Sequence, residues 1–185
     1  MKIIILIPVF NDFKSVSKLI EEIDINISEL NASFSVIVVN DASVDEKILE
    51  TKNLNNIKSL KLINMRNNKG HARCIAAGLK HISENEDFDY VIPMDGDGED
   101  RPEEISNFVE KIKDNPNNTI VGERVKRSEG LIFKICYFFH KIITYTFTGK
   151  FIKFGNFTCL TNQTVKKLIE DKLSLIHISE PTRPY

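Results

Sequence analysis

The chain has 185 residues, 42% of them hydrophobic and 28% charged, which is the balance of an ordinary globular domain and excludes a disordered or fibrous protein. Its 25 Lys and Arg against 26 Asp and Glu leave a formal net charge of −1, so there is no long-range field for nucleic acid and no such partner is expected. Three widely spaced cysteines, Cys74, Cys136 and Cys159, match neither a disulfide framework nor a zinc knuckle, and a chain this long buries roughly 70% of its unfolded surface without such staples.

Ile3–Val9 is a continuous β-branched and aliphatic run, predicting a strand covered on both faces. It is too short for a signal peptide, and Pro8, Asn11 and Asp12 stand where a small-residue cleavage site would be needed. Asn11 and Asp12 offer capping side chains to a helix whose apolar stripe is Phe13, Val16, Leu19, Ile20, Ile23, Ile27 and Leu30. Phe34–Val39 predicts a second buried strand ending at Asn40-Asp41, and Leu60–Ile63 a short third one. Ala72, Ile75, Ala76, Leu79 and Ile82 form a second helical stripe, Tyr90–Met94 a fourth strand. Pro102 suits the first turn of a helix that turns Ile105, Phe108, Val109 and Ile112 inward, and Thr119–Gly122 predicts a fifth strand. This alternation predicts an α/β fold: a mostly parallel sheet with helices on both faces.

Leu131–Phe147 places Lys134, Tyr137, Lys141 and Thr144 on one helical face and Leu131, Ile132, Ile135, Phe138, Phe139, Ile142 and Ile143 on the other. Its lysines argue against a membrane span, leaving two readings: an amphipathic helix lying at a membrane surface, or a core helix. Residues 173–185 resemble the in-frame translation of a sequencing-library adapter, so the expected catalytic domain is 1–172, truncated at its C-terminus, and the tail is excluded from fold reasoning.

In open sheets of this kind ligands bind beyond the carboxyl ends of the strands. Asp12 follows the first predicted strand, Asp41 the second, and Asp95 and Asp97 the fourth. Each segment alone has a plainer reading: a capped turn for Asn40–Ser43, an acidic turn for Asp95–Asp100, a solvated basic turn for Arg66–Arg73. Carboxylates two apart, spaced by glycine, suit Mg²⁺ or Mn²⁺ held by one or two carboxylates plus substrate phosphates. A calcium loop is excluded, because its sixth position requires Gly and holds Asp100, and its twelfth requires Glu and holds Ser106.

Taken together these segments resemble family-2 glycosyltransferases of GT-A fold. Pro8-Val9-Phe10-Asn11-Asp12 is similar to that family's Pro-Val-Tyr-Asn-Glu, and Val39-Asn40-Asp41-Ala42-Ser43-Val44-Asp45 to its Val-Asp-Asp-Gly-Ser-Thr-Asp. Gly70-His71-Ala72-Arg73-Cys74-Ile75-Ala76-Ala77-Gly78-Leu79 resembles the Gly-His-x-x-Ala-x-x-Ala-Gly-Leu stretch of the subgroup that makes polyprenyl-phosphate sugars, the dolichol-phosphate mannose synthases among them. Asp95–Glu103 resembles that subgroup's Asp-Ala-Asp-Leu-Gln-Asp-Pro-Pro-Glu. The motifs fall in the family's order, and the resemblance covers residues 3 to about 165.

The resemblance implies a UDP- or GDP-linked sugar donor surrounded by Pro8, Phe10, Asp12, Asp41, Gly70, His71 and Asp95. It implies Mg²⁺ or Mn²⁺ surrounded by Asp95, Asp97 and Glu99, the last at the family's Gln position. Asp97, Asp100 and Arg124 would carry an inverting transfer, and Arg124 and Arg127 would meet an acceptor phosphate. The implied acceptor is a polyprenyl phosphate, and the implied place the cytoplasmic face of a membrane, with a C-terminal anchor in the full protein. Many family members carry an acidic residue near Phe154-Gly155-Asn156-Phe157; Asn156 cannot take a proton, which disfavours a hydroxyl acceptor there, although Asp100 could substitute. A saccharide hydroxyl acceptor and a non-catalytic nucleotide-binding fragment stand as alternatives. A phosphoacceptor receiver domain fails, because it needs an Asp ending the third strand and Ile63 is followed by Asn64.

Overall fold

The two faces of the first strand set the architecture. The computed structural model describes residues 1–44, 49–51, 53–122 and 157–170. In it β1 (Lys2–Val9) sends Ile3, Ile5, Ile7 and Val9 into one apolar cluster and Ile4 and Leu6 into another. A strand buried on both faces belongs inside a sheet with a layer on either side. The first cluster is closed by α1 (Phe13–Asn26), through Phe13, Val16, Leu19, Ile20 and Ile23, and by α3 (Ile105–Asp114), through Ile105, Phe108, Val109 and Ile112. The second is closed by α2 (His71–Asn85), through Cys74, Leu79 and Ile82, and by α4 (Asn162–Glu170), through Val165.

The remaining strands are β2 (Ser33–Asn40), β3 (Ile57–Asn64), β4 (Tyr90–Pro93), β5 (Ile120–Val121) and β6 (Thr158–Thr161), and the sheet order is β3-β2-β1-β4-β6-β5. β1 runs parallel to both β2 and β4, and β2 parallel to β3. The α/β expectation with helices on both faces therefore holds. β6 was not foreseen: it pairs antiparallel with β4, Tyr90 opposite Thr161. Phe157, just before β6, meets Phe108 of α3 edge-on with ring centroids 4.8 Å apart. No helix occurs between β2 and β3 among the described residues, and a 3₁₀ turn at Pro102–Glu104 leads α3. Residues 1–120, with the described segment from Phe157, form one compact unit. The amphipathic stretch Leu131–Phe147, Asn156 and the tail from residue 171 lie outside the described residues.

Gly78 marks the nearest approach of α2 to the sheet. A Cβ built there would lie 2.4 Å from Leu6 Cδ1 and 3.0 Å from Val39 Cγ2, so a hydrogen at this position lets the helix settle on β1 and β2. On the opposite face, Asp24 of α1 is only 6% exposed. Its Oδ1 accepts the backbone N–H groups of Asn56 and Ile57, both at 2.8 Å, and its Oδ2 accepts that of Asn55 at 3.0 Å. This carboxylate pins the start of β3 to α1.

Candidate functional site

The strand order reverses between β1 and β4, a switch point of the kind at whose carboxyl edge open α/β sheets bind ligands. Phe10, exposed over 50% of its surface, and Asp12 leave β1 here, Asp41 leaves β2, and Asp95 and Asp97 follow β4. Pro8, expected among the donor contacts, is buried within β1. Arg124 and Arg127 lie outside the described residues.

Two tight connections shape this edge. Asn11 adopts φ 55°, a left-handed conformation that Asn tolerates; its N–H donates to Ser43 Oγ at 2.9 Å and its Oδ1 accepts the N–H of Val44 at 2.9 Å. Ser43 in turn donates from N–H and hydroxyl to Oδ1 of Asn40, which is fully buried and donates through Nδ2 to Asn64 Oδ1 at 2.8 Å. The ends of β1, β2 and β3 are thus tied by Asn11, Ser43, Asn40 and Asn64. Sequence reasoning missed this role for Asn11, Asn40 and Ser43; the signal was the clustering of short polar side chains at successive strand ends.

Ala42 also stands at φ 57°, where the resembling motif has glycine. A Cβ in the left-handed region costs about 1–2 kcal/mol. Ala42→Gly is therefore expected to raise stability by about 0.5–1 kcal/mol after glycine's larger unfolded-state entropy is subtracted, a melting shift of roughly 1–4 °C by circular dichroism.

The acidic residues hold distinct positions. Asp12 caps α1, its Oδ1 accepting the N–H of Ser15 at 3.1 Å. Asp41 is 3% exposed, and its two oxygens accept the backbone N–H groups of Lys69 and Gly70, each at 2.8 Å. Gly70 (φ +88°) then swings the chain into α2, whose first residue places His71 Nε2 2.8 Å from Asp95 Oδ1. Asp100, 8% exposed, accepts the N–H of Asp95 on Oδ2 at 3.0 Å, which closes the Asp95–Asp100 turn, and the N–H of Glu99 donates to Asp97 Oδ1 at 2.9 Å. Gly96 lets this turn lie against β1, because a Cβ there would sit 2.9 Å from the Pro8 carbonyl oxygen.

His71, Asp95, Asp97 and Asp100 are therefore brought to one loop cluster. Asp95, Asp97 and Glu99 do not form a ready-made three-carboxylate cage: no group of three or more His, Cys, Asp or Glu among the described residues has the geometry to hold a metal. Hydrogen bonding within the turn engages Asp97 with the main chain of Glu99, and Glu99 itself is exposed. Paired hard oxygen donors of this kind fit an octahedral cation that takes its other ligands from phosphate and water, and do not fit an all-protein site. Cys74 has no part in chemistry here. It is buried, its Sγ donates to the Val39 carbonyl at 3.2 Å, and burial, with the Asp41 charge adding to it, pushes its thiol up to about 12.

The profile of glycosyl transferase family 2 matches residues 4–164. A dolichol-phosphate mannosyltransferase of Pyrococcus furiosus is 29% identical over 124 residues, 67% of this chain and 33% of that protein. An undecaprenyl-phosphate 4-deoxy-4-formamido-L-arabinose transferase of Klebsiella pneumoniae is 24% identical over 178 residues, 94% of this chain and 51% of that protein. The chain thus spans about half or less of the length of these two relatives. In fold it is similar to a mannosyltransferase from Pyrobaculum calidifontis solved with GDP-Man and Mn²⁺, with a TM-score of 0.52 and 19% identity, over 90% of this chain and 46% of that one.

Proposed function

The chain belongs to glycosyl transferase family 2, and from that membership we infer that it moves a sugar from a nucleoside-diphosphate donor to a polyprenyl-phosphate acceptor at a membrane surface, with inversion at the anomeric carbon. The observation that carries this reading is the Asp95–Asp100 turn, folded over the β1–β4 switch point beside the start of α2.

Phe10 offers an exposed ring on which a nucleobase can stack, and Asp12 stands next to it on the loop leaving β1. Asp95 and Asp97 would hold a Mg²⁺ or Mn²⁺ ion, and such an ion neutralises the departing diphosphate. In a single displacement the acceptor oxygen bonds to the anomeric carbon from the side opposite the diphosphate, whose bond to that carbon breaks and takes the electron pair. A lipid-phosphate acceptor is supported by Asp100, whose carboxylate is nearly buried and accepts the Asp95 N–H, a turn-holding position that leaves it poorly placed to take a proton from a hydroxyl. A lipid phosphate arrives already ionised and needs no proton acceptor. The names of the Pyrococcus and Klebsiella relatives point the same way. A lipid acceptor would place the reaction at a bilayer surface, at its cytoplasmic face; among the described residues no helix is long and apolar enough to cross a membrane.

The test supplies radiolabelled UDP- and GDP-sugars, undecaprenyl phosphate in detergent, and either MnCl₂ or EDTA. Label is expected in a mild-acid-labile lipid, with EDTA lowering the yield by about 100-fold or more. Label in a saccharide product would instead establish a hydroxyl acceptor, and UDP or GDP binding without turnover a non-catalytic domain.

A further inference from the structure

We propose that Arg66, Lys69 and Arg73, with Val44 beside them, form the surface by which this domain lies on an anionic lipid bilayer. The proposal rests on the reading above, which brings a lipid acceptor to the carboxyl edge of the sheet, and deepens it.

The three cations come from the connection between β3 and α2 and from the first turn of that helix, and all are exposed. Backbone contacts hold this connection against the end of β2. The Met65 N–H donates to the Asn40 carbonyl at 2.9 Å, and the N–H groups of Lys69 and Gly70 donate to Asp41, each at 2.8 Å. The charged ends are thus carried into solvent from a fixed main chain. His71 reaches Asp95 and Cys74 the Val39 carbonyl, while Arg73, between them in sequence, faces solvent.

Among the described residues none of the three cations has a carboxylate within ion-pair reach. Lys2, Lys18, Lys61 and Lys80, by contrast, each meet one, from Asp87, Glu22, Glu86 and Glu84. Val44, on the loop leaving β2, is 84% exposed, and Asn11 Oδ1 accepts its N–H at 2.9 Å, so an apolar side chain is presented from an anchored backbone. The edge is divided by charge, with these cations beyond β3 and Asp95, Asp97 and Glu99 beyond β4. Uncompensated cations beside an exposed apolar side chain make an interfacial surface. The ammonium and guanidinium groups draw anionic headgroups, and the apolar side chain enters the boundary beneath them. Three cations strung along a loop and a helical turn suit a plane of charge better than a single phosphate.

The experiment measures sedimentation of the full chain with vesicles of phosphatidylcholine alone and of equal parts phosphatidylcholine and phosphatidylglycerol, and UDP and GDP affinity by calorimetry. Wild-type protein is expected on the anionic vesicles and not on the neutral ones, and to leave them as NaCl is raised to about 0.5 M. Each basic residue near such a surface is worth about fivefold, so the combined Arg66→Gln, Lys69→Gln and Arg73→Gln variant is expected to bind on the order of 100-fold more weakly. Its nucleotide affinity and melting temperature are expected to match wild type. Should it melt lower, Arg66→Gln alone, with an expected loss of about fivefold, decides the matter. Val44→Ser is expected to lose about 3- to 10-fold. A control that removes the same charge from exposed lysines elsewhere, Lys58→Gln, Lys111→Gln and Lys113→Gln, is expected to stay within about 3-fold of wild type.

The proposal is overturned if wild-type protein ignores anionic vesicles, if the edge variant keeps its hold on them, or if the control loses as much as the edge variant. Lost nucleotide affinity in the edge variant would assign the cations to the donor and overturn it as well. Wild-type binding by Val44→Ser overturns the part given to Val44. These readouts need neither donor nor acceptor. A chain that docks but transfers no sugar therefore overturns the reading above and leaves the surface standing, whereas one that makes labelled lipid in detergent yet stays off vesicles overturns the surface alone.

Discussion

Asp97→Asn is expected to lower sugar transfer by about 10²- to 10³-fold, equivalent to about 3–4 kcal/mol of transition-state stabilisation. The substitution keeps shape and keeps the amide oxygen that can accept the Glu99 N–H, now met at 2.9 Å by Asp97 Oδ1. What it removes is one negative charge at the edge of the Asp95–Asp100 turn. Asp97 is exposed, so melting should move by no more than a surface substitution does, within about 0.5 kcal/mol. The loss should fall mainly on metal-supported turnover and be partly recovered by raising MnCl₂. Steady-state kinetics across a Mn²⁺ titration reads this directly. A variant that transfers sugar at the wild-type rate at every Mn²⁺ concentration would remove Asp97 from the site.

The second large effect is on stability. Asp24→Ala would leave the backbone N–H groups of Asn55, Asn56 and Ile57 without their acceptor in a buried setting, at about 1–3 kcal/mol for each group that water does not reach. A total of about 3–5 kcal/mol follows, or a melting shift on the order of 10 °C for a chain of this size. Chemical denaturation monitored by circular dichroism measures it.

The same carboxylate has a pH signature. Burial pushes its pKa up, but the amides of Asn55, Ile57 and Asn56 together outweigh burial and hold the folded value below the ordinary 3.8. The unfolded chain therefore takes up this proton at a higher pH than the folded one. The contribution is present in full above the ordinary value and is lost as pH falls through the folded value. The stability gap between wild type and Asp24→Ala should narrow as pH is lowered from 5 toward 2.

The strands and helices that the sequence displayed are those whose burial is written in a run or a stripe. Ile3–Val9 and Phe34–Val39 announced themselves because both faces are covered, and α1 because its stripe holds one face over four turns. β3 was predicted too short, over Leu60–Ile63, because as an edge strand it carries Lys58, Ser59 and Lys61 within Ile57–Asn64. β6 is four residues long with two threonines, and its existence depends on pairing with β4, which no local pattern reports. The site was legible as a set of acidic positions at strand ends, since topology alone carries strand ends to one edge. What each oxygen does was not. Asp41 and Lys69–Gly70, or His71 and Asp95, meet only after β3 and α2 are laid on the sheet. The left-handed turn at Ala42 was equally hidden, because alanine gives no sign of it.

The inner place of β1 also governs how the chain comes together during synthesis. Its first neighbour, β2, follows soon after, but Ile3 and Ile5 wait for Tyr90 and Ile92 before their other side is covered. Pairings between distant segments form slowly, and an apolar strand with one open edge invites association with other chains in the interval. On the ribosome β1 emerges well before β4 and is therefore among the last strands to be fully enclosed, so Ile3–Ile7 keeps an open edge until β4 has emerged.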